Sequence, residues 1–154
     1  MRNELIIQEL KAKSGEKKQG FIKILDTETK MPVTIINGVK EGKTMLITAG
    51  VHGCEYPGIK TAIELAREIN PKKVTGQIII VHPVNMQGFQ GRNPAIVPED
   101  NKNILRVFPG DENGTISEKI AYVISNELQT KADFYLDIHG GDVHEELLFD
   151  QLLF

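Results

Sequence analysis

Cysteine is scarce in this sequence: Cys54 is the only one. A lone thiol excludes an intramolecular disulfide framework and a zinc site built from cysteines alone. Long apolar runs are missing too. None approaches the ~20 residues that span a bilayer, so a membrane helix is excluded. Nor does either sign of charge dominate. Eighteen Lys and Arg stand against 21 Asp and Glu, for a net charge of −3, whereas non-specific nucleic-acid binding needs a clear basic excess. The opening stretch MRNELIIQELKAKSGEKK is too charged for a secretory signal. The expectation is a reducing, cytoplasmic location, with no membrane or nucleic-acid partner.

At 154 residues, with 40% hydrophobic and 25% charged side chains, the chain has the composition of one globular domain with a real core. The lysines at 11, 13, 17 and 18 read as a solvated lead-in or the end of a hairpin. FIKIL (21–25) and PVTIING (32–38) read as β-branched strands on either side of a polar turn. TMLITAG (44–50), QIIIVHPVN (77–85) and ADFYLDIHGG (132–141) are continuous apolar runs of the kind buried on both faces of a sheet. PGIKTAIELAREIN (57–70) repeats Ile59, Ile63 and Ala66 at helical spacing, with Pro57 in its first turn and Asn70-Pro71 as its stop. A Gly-, Pro- and Asn-rich stretch fills 86–114, and a loop that long is usually functional. TISEKIAYVISNELQTK (115–131) opens with a capping box, Thr115 to Glu118, and carries an apolar stripe through Ile116, Ile120, Val123, Ile124 and Leu128.

The order β-β-β-α-β-loop-α-β predicts an α/β fold: a mixed, largely parallel central sheet covered by helices, with a hairpin added at the front. Ligands bind such sheets beyond the C-terminal ends of the strands. That rule selects GVHGCEYPG, the long loop, and HGGDVHEE. In the first, His52 and Glu55 lie three apart in a Gly-flanked turn. In the third, His139 sits just past a strand end. A short-spaced His/Glu pair plus one distant His is the general form of a catalytic zinc site with an open fourth position.

GVHGCEYPG, NKNILRVFPG and DFYLDIHGG, in that order, resemble the zinc carboxypeptidase superfamily, in its succinylglutamate desuccinylase/aspartoacylase branch. The resemblance covers roughly residues 20–146. It implies a zinc-peptidase-like (phosphorylase/hydrolase-like) fold with helices on both faces of the sheet. It also implies a zinc ion held by His52, Glu55 and His139, and a water activated at the open position to attack an amide carbonyl. Arg106 matches the family arginine that grips a substrate carboxylate, a task suited to a planar guanidinium. Arg92 aligns with a second arginine that polarises the scissile carbonyl, although a plain loop arginine fits its surroundings equally well. The family pattern gives the ligand role to Glu55 and leaves Cys54 to loop packing; His82 and His144 read as structural. Asp137 either orients a ligand or closes its strand.

Two departures qualify the match. Leu105 stands where the family has a carboxylate-holding Asn, so either Asn103 serves instead or carboxylate recognition is weaker. The family's general base, a glutamate, comes from a much later segment, so it is expected beyond Phe154. Residues 1–154 then form one zinc-hydrolase-like catalytic domain lacking the family's C-terminal part. Glu145 and Glu146 do not match the base, and the apolar end LLFDQLLF (147–154) is a candidate for homo-oligomer contacts. The expected function is hydrolysis of an amide bond next to a carboxylate, in a small-molecule or peptide substrate, by an N-acyl amino acid deacylase or a metallocarboxypeptidase. The alternative is a truncated, non-catalytic module that binds metal or carboxylate.

Overall fold

The computed structural model describes residues 4–141. His144, Glu145, Glu146 and the apolar stretch 147–154 lie outside the described residues. Among the described residues there are seven strands and three α-helices: β1 Leu5–Ile7, β2 Leu10–Ala12, β3 Glu16–Lys23, β4 Lys30–Asn37, β5 Lys40–Ala49, α1 Tyr56–Glu68, β6 Thr75–Val81, α2 Met86–Gln90, α3 Ile116–Tyr122 and β7 Phe134–Ile138. β1 and β2 form a small antiparallel hairpin of their own, and the other five strands make one sheet in the order β3-β4-β6-β5-β7. The β3–β4 hairpin joins the sheet antiparallel through β4 and β6. β6, β5 and β7 run parallel. The sheet is therefore mixed, with a parallel portion whose strand ends all point to one edge.

The apolar runs become strands because successive side chains serve opposite faces. Ile36, Ile47 and Ile80 pack with Ala62 and Ala66 of α1 on one face. Ile35, Leu46 and Ile79 pack on the other with Ile116, Ile120, Val123, Ile124 and Leu128, and with Leu5, Ile7 and Ala12 of the small hairpin. Helices thus cover both faces.

Local details differ from the sequence expectation. In α1 the buried stripe runs Gly58, Ile59, Ala62, Ala66, and Ile63 is turned out to solvent. The expected second helix is α-helical only to Tyr122; a π-helical turn, Val123–Leu128, and a short 3-10 turn, Gln129–Lys131, complete it. Glu118 closes its start by accepting the Thr115 backbone N–H at 2.7 Å. Of the two readings of the lysines, the hairpin end fits Lys17, which pairs with Ile36 at the open end of β3–β4. Its ammonium donates to the Ala66, Arg67 and Ile69 carbonyls at 2.8, 2.7 and 3.1 Å. It thereby caps the C-terminus of α1, where the last carbonyls lack partners within the helix.

The largest correction concerns β7, whose apolar run reads as a buried strand. Among the described residues it is the edge strand, and Phe134, Tyr135 and Leu136 are 59%, 41% and 43% exposed. Composition cannot reveal this, because a strand's burial depends on what lies beside it.

The long loop is pinned rather than free. Val97 and Ile104 are fully buried in the core. Asn85 caps α2 by accepting the Gly88 N–H at 2.8 Å, and its amide holds the Ile96 carbonyl at 3.1 Å. Ser117 donates both its N–H and its hydroxyl to Asp100, at 2.9 and 2.8 Å.

Candidate metal centre

The turn after β5 is shaped by glycine. Gly50 has φ +72°, which an L side chain rarely adopts. A side chain on Gly53 would overlap the Gly88 carbonyl of α2. The turn can therefore fold tightly, and it delivers Glu55 to the residue just before α1. β7, parallel to β5, ends at the same edge and delivers His139.

One ligand-type atom from each of His52, Glu55 and His139 lies within 4.8 Å of the other two. His52 donates from Nδ1 to Glu55 Oε1 at 2.7 Å, and His139 donates from Nδ1 to Glu55 Oε2 at 2.9 Å. The Gly140 N–H adds a bond to Oε2 at 3.1 Å. The two imidazoles meet edge to face, their centroids 5.3 Å apart. Burial favours a neutral Glu55, but the bonds from His139, His52 and Gly140 outweigh it and hold the carboxyl down at about 2. Asp137 first, then Glu55, push His139 up to about 10. The Glu55 bond likewise raises His52, against burial. A buried carboxylate thus sits between two imidazoles that hold protons in its place.

The outer ring nitrogens are anchored as well. His139 Nε2 donates to Asp137 Oδ2 at 2.8 Å, and His52 Nε2 faces Asn103 Oδ1 at 3.2 Å. Histidines that ligate metals characteristically have the second nitrogen held by a carboxylate or an amide oxygen, which fixes the ring. Two nitrogens and one carboxylate, with both rings anchored from outside, are a donor set that fits zinc and leaves a position open. Metal entry would exchange the protons on the inner nitrogens for the ion.

The sequence brought three of these residues forward as ligands, and the fold gathers them. Of the two open readings of Asp137, the contact to His139 matches the ligand-orienting one. Asn103 is held at its amide oxygen by His52 and by the Leu105 N–H at 2.9 Å. Thr48 was missed: its hydroxyl lies 2.6 Å from Asp137 Oδ1. The signal was available, since Thr48 is the polar residue of the otherwise apolar run LITA. His82 stands apart, on the Thr34 hydroxyl at 3.2 Å. Cys54 is buried beside Glu55, with the Tyr56 hydroxyl as its contact.

The two arginines both lie between α2 and α3. Arg106 ends the 3-10 turn Ile104–Arg106 that Asn103 caps. It is exposed, and among the described residues no ion pair or side-chain hydrogen bond engages it. Arg92 follows α2 with φ +52° and lines a cleft with Phe89, Gln90 and Tyr56, the residue after Glu55. A second cavity, of about 560 Å³, is lined by Leu105, Phe108, Pro109, Ser125, Gln129, Tyr135 and Asp137. Among the described residues no helix is long and apolar enough to cross a membrane.

Residues 41–148 match the model of the succinylglutamate desuccinylase/aspartoacylase catalytic domain. The chain is 38% identical over 112 residues to N-alpha-acetyl-L-2,4-diaminobutyric acid deacetylase of Halomonas elongata, a match covering 72% of this chain and 32% of that protein. Among solved structures it resembles a succinylglutamate desuccinylase from Silicibacter sp. TM1040, with TM-score 0.78 and 31% identity, over 91% of this chain and 43% of that one. It also resembles the product-bound ectoine utilization protein EutE from Ruegeria pomeroyi, with TM-score 0.74 and 33% identity, over 81% and 40% of the respective chains. The chain thus spans about a third of the deacetylase and about two fifths of each structural relative.

Proposed function

Because this chain belongs to the succinylglutamate desuccinylase/aspartoacylase catalytic-domain family, we propose that it carries the zinc-binding part of a hydrolase that deacylates an N-acyl amino acid. The observation that carries this reading is the convergence of His52, Glu55 and His139 at the ends of two parallel strands. Deacylation is favoured over removal of a C-terminal residue because the curated relative is named a deacetylase. The substrate is a small molecule with a free carboxylate, and a cytoplasmic setting suits the reduced Cys54.

Zinc, when held there, supplies Lewis acidity that polarises a carbonyl and makes water a usable nucleophile near neutral pH. The remaining tasks belong to side chains. Glu55 and the two histidines form the cradle, with Asp137 and Asn103 holding the rings. Arg106, unpaired among the described residues, receives the substrate carboxylate as a charge-assisted pair. Arg92 stands on the Tyr56 side, where it can stabilise charge developing on the carbonyl oxygen.

The second reading, a module that binds metal and carboxylate without turning substrate over, is favoured by one observation. Glu55 and Asp137 are the carboxylates of this cluster among the described residues, and both are committed to histidines. A positioned base typically adds ~10²–10⁴ in rate. On this second reading the chain binds zinc and carboxylates with little turnover.

The test is metal analysis of protein purified without chelator, followed by turnover assays on N-acyl amino acids and dipeptides. About one zinc per chain is expected from a three-ligand site. Full zinc occupancy after His52→Ala would overturn the assignment. Robust turnover that disappears in Glu145→Gln or Glu146→Gln would instead reject the second reading.

A further inference from the structure

The bond between His139 and Asp137 has support of its own. Thr48 is fully buried on β5 and stands directly opposite Asp137 in the β5–β7 register. Its hydroxyl oxygen lies 2.6 Å from Asp137 Oδ1 and 2.9 Å from the Tyr135 hydroxyl. Tyr135 precedes Asp137 by two residues, so the two side chains share a face of β7.

Counting protons fixes the direction of this chain. An ionised carboxylate only accepts, so the single Thr48 proton goes to Asp137. Thr48 then accepts from Tyr135. Asp137 Oδ1 is thereby occupied, and Oδ2 remains for the His139 Nε2–H at 2.8 Å. That arrangement turns Nδ1 toward Glu55. Without Thr48, the Asp137 carboxylate would have lost its fixed partner in the central strand. It would then hold His139 only from an edge strand that is exposed on its outer side.

We propose that Thr48 is a positioning residue for His139, with Tyr135 as its outer support, and that this hydroxyl chain sets the metal affinity of the site. The proposal rests on the reading of His52, Glu55 and His139 as a metal site. It adds that the central strand, and not the edge strand alone, aims the third ligand.

The experiment measures zinc affinity by competition with a chromogenic chelator, and the visible spectrum of the cobalt-substituted protein. It is run on the wild-type 154-residue chain, Thr48→Val, Thr48→Ser and Tyr135→Phe. Val keeps the shape of Thr and suits a buried strand, but it leaves Asp137 and Tyr135 without their common partner, so the apo melting temperature of Thr48→Val should fall modestly while the fold is kept. Its zinc affinity should fall about tenfold, the low end of what outer partners of a metal-ligating His contribute. The cobalt spectrum should shift with it. Thr48→Ser, which restores the hydroxyl, should recover most of the affinity. Tyr135→Phe should lose about threefold, a few-fold less than the inner link, and because Tyr135 is partly exposed this variant tests the chain even if Thr48→Val folds poorly. Wild-type affinity and spectrum in Thr48→Val, or in Tyr135→Phe where Thr48→Val does not fold, would overturn the proposal and leave the metal assignment standing. Failure of the wild-type chain to bind zinc would overturn the assignment and this inference with it.

Discussion

The two strand ends that supply the trio are built differently. β5 is paired on both sides, by β6 and β7, and the turn beyond it leans on α2 and leads into α1. Its two residues, His52 and Glu55, have side chains 18% and 7% exposed. β7 is paired on one side only among the described residues, and its His139 side chain is 34% exposed. One half of the site is set by residues three apart in a single turn. The other half arrives across 83 intervening residues and is held by Asp137, Thr48 and the contact to Glu55. Glu55 is the hub, because its two carboxylate oxygens accept from a histidine of each half. A cluster that could hold a metal can therefore combine a rigid half with a half whose geometry is borrowed from its neighbours.

The strongest way to break this contrast is at the hub. Glu55→Ala leaves two imidazoles facing each other without their carboxylate. Losing one partner of a buried charged cluster costs about 3 kcal/mol, so apo stability should fall by that order in urea melts. Zinc should be lost altogether, as in His52→Ala and His139→Ala, while His82→Ala should retain it. A Glu55→Ala protein as stable as wild type would mean the carboxylate is not the link between the halves.

A smaller effect separates the strands themselves. Leu46 on β5 is fully buried, whereas Leu136 on β7 is 43% exposed. Leu46→Ala should cost about 3 kcal/mol, as buried leucines do, and Leu136→Ala about 0.5 kcal/mol, as surface positions do. Equal costs would show that β7 is covered in solution.

Arg106 probes the exposed side without touching the cradle. Arg106→Ala should weaken a carboxylate ligand by about 1.5–3 kcal/mol, the range of a hydrogen bond to a charged group, with zinc content and melting temperature unchanged. Unchanged ligand affinity in a destabilised protein would make it a structural residue.

The smallest expected effect lies at the start of β7. Asp133 accepts from the Lys43 ammonium and the Thr44 N–H at 2.7 and 2.8 Å, stapling the edge strand to β5. Lys43 and Thr44 hold the carboxyl below its ordinary value of 3.8. A depressed folded value contributes stability that is present above the unfolded value and lost as pH falls through the folded one. Urea midpoints from pH 6 down to pH 3 should therefore fall less steeply in Asp133→Asn than in wild type, and parallel curves would remove the staple from the account.

Much of this arrangement was legible in the residues. His52 and Glu55 declare themselves because their spacing and flanking glycines are local. His139 follows from the rule that parallel strands deliver ligands at one edge. The capping box at Thr115 is equally local, and the fold has it. What escaped was relational. The apolar run of β7 is indistinguishable from those of β5 and β6, and only the topology makes it an edge. Lys17 reads as a solvated charge until the C-terminus of α1 is brought to it from some 50 residues away. Strands as short as Leu5–Ile7 and Leu10–Ala12 leave too little alternation to read. Thr48 has no motif, because its partners are side chains on another strand, and Asn103, which the sequence offers as a substitute holder of the carboxylate, turns its amide oxygen to His52.

The bond from the Gly140 N–H to Glu55 carries a thermodynamic consequence. It ties the backbone just past the edge strand to the hub of the cradle, so occupancy of the cradle and docking of that strand are linked quantities. A tightly held ion at a free concentration one hundred times its dissociation constant adds about 2.7 kcal/mol to the folded state. Openings of the strand end that release Glu55 should become rarer by a corresponding factor. The amide protons of Ile138, His139 and Gly140 are thus built-in reporters, and their exchange with solvent deuterium should slow on metal addition more than that of amides in the β1–β2 hairpin.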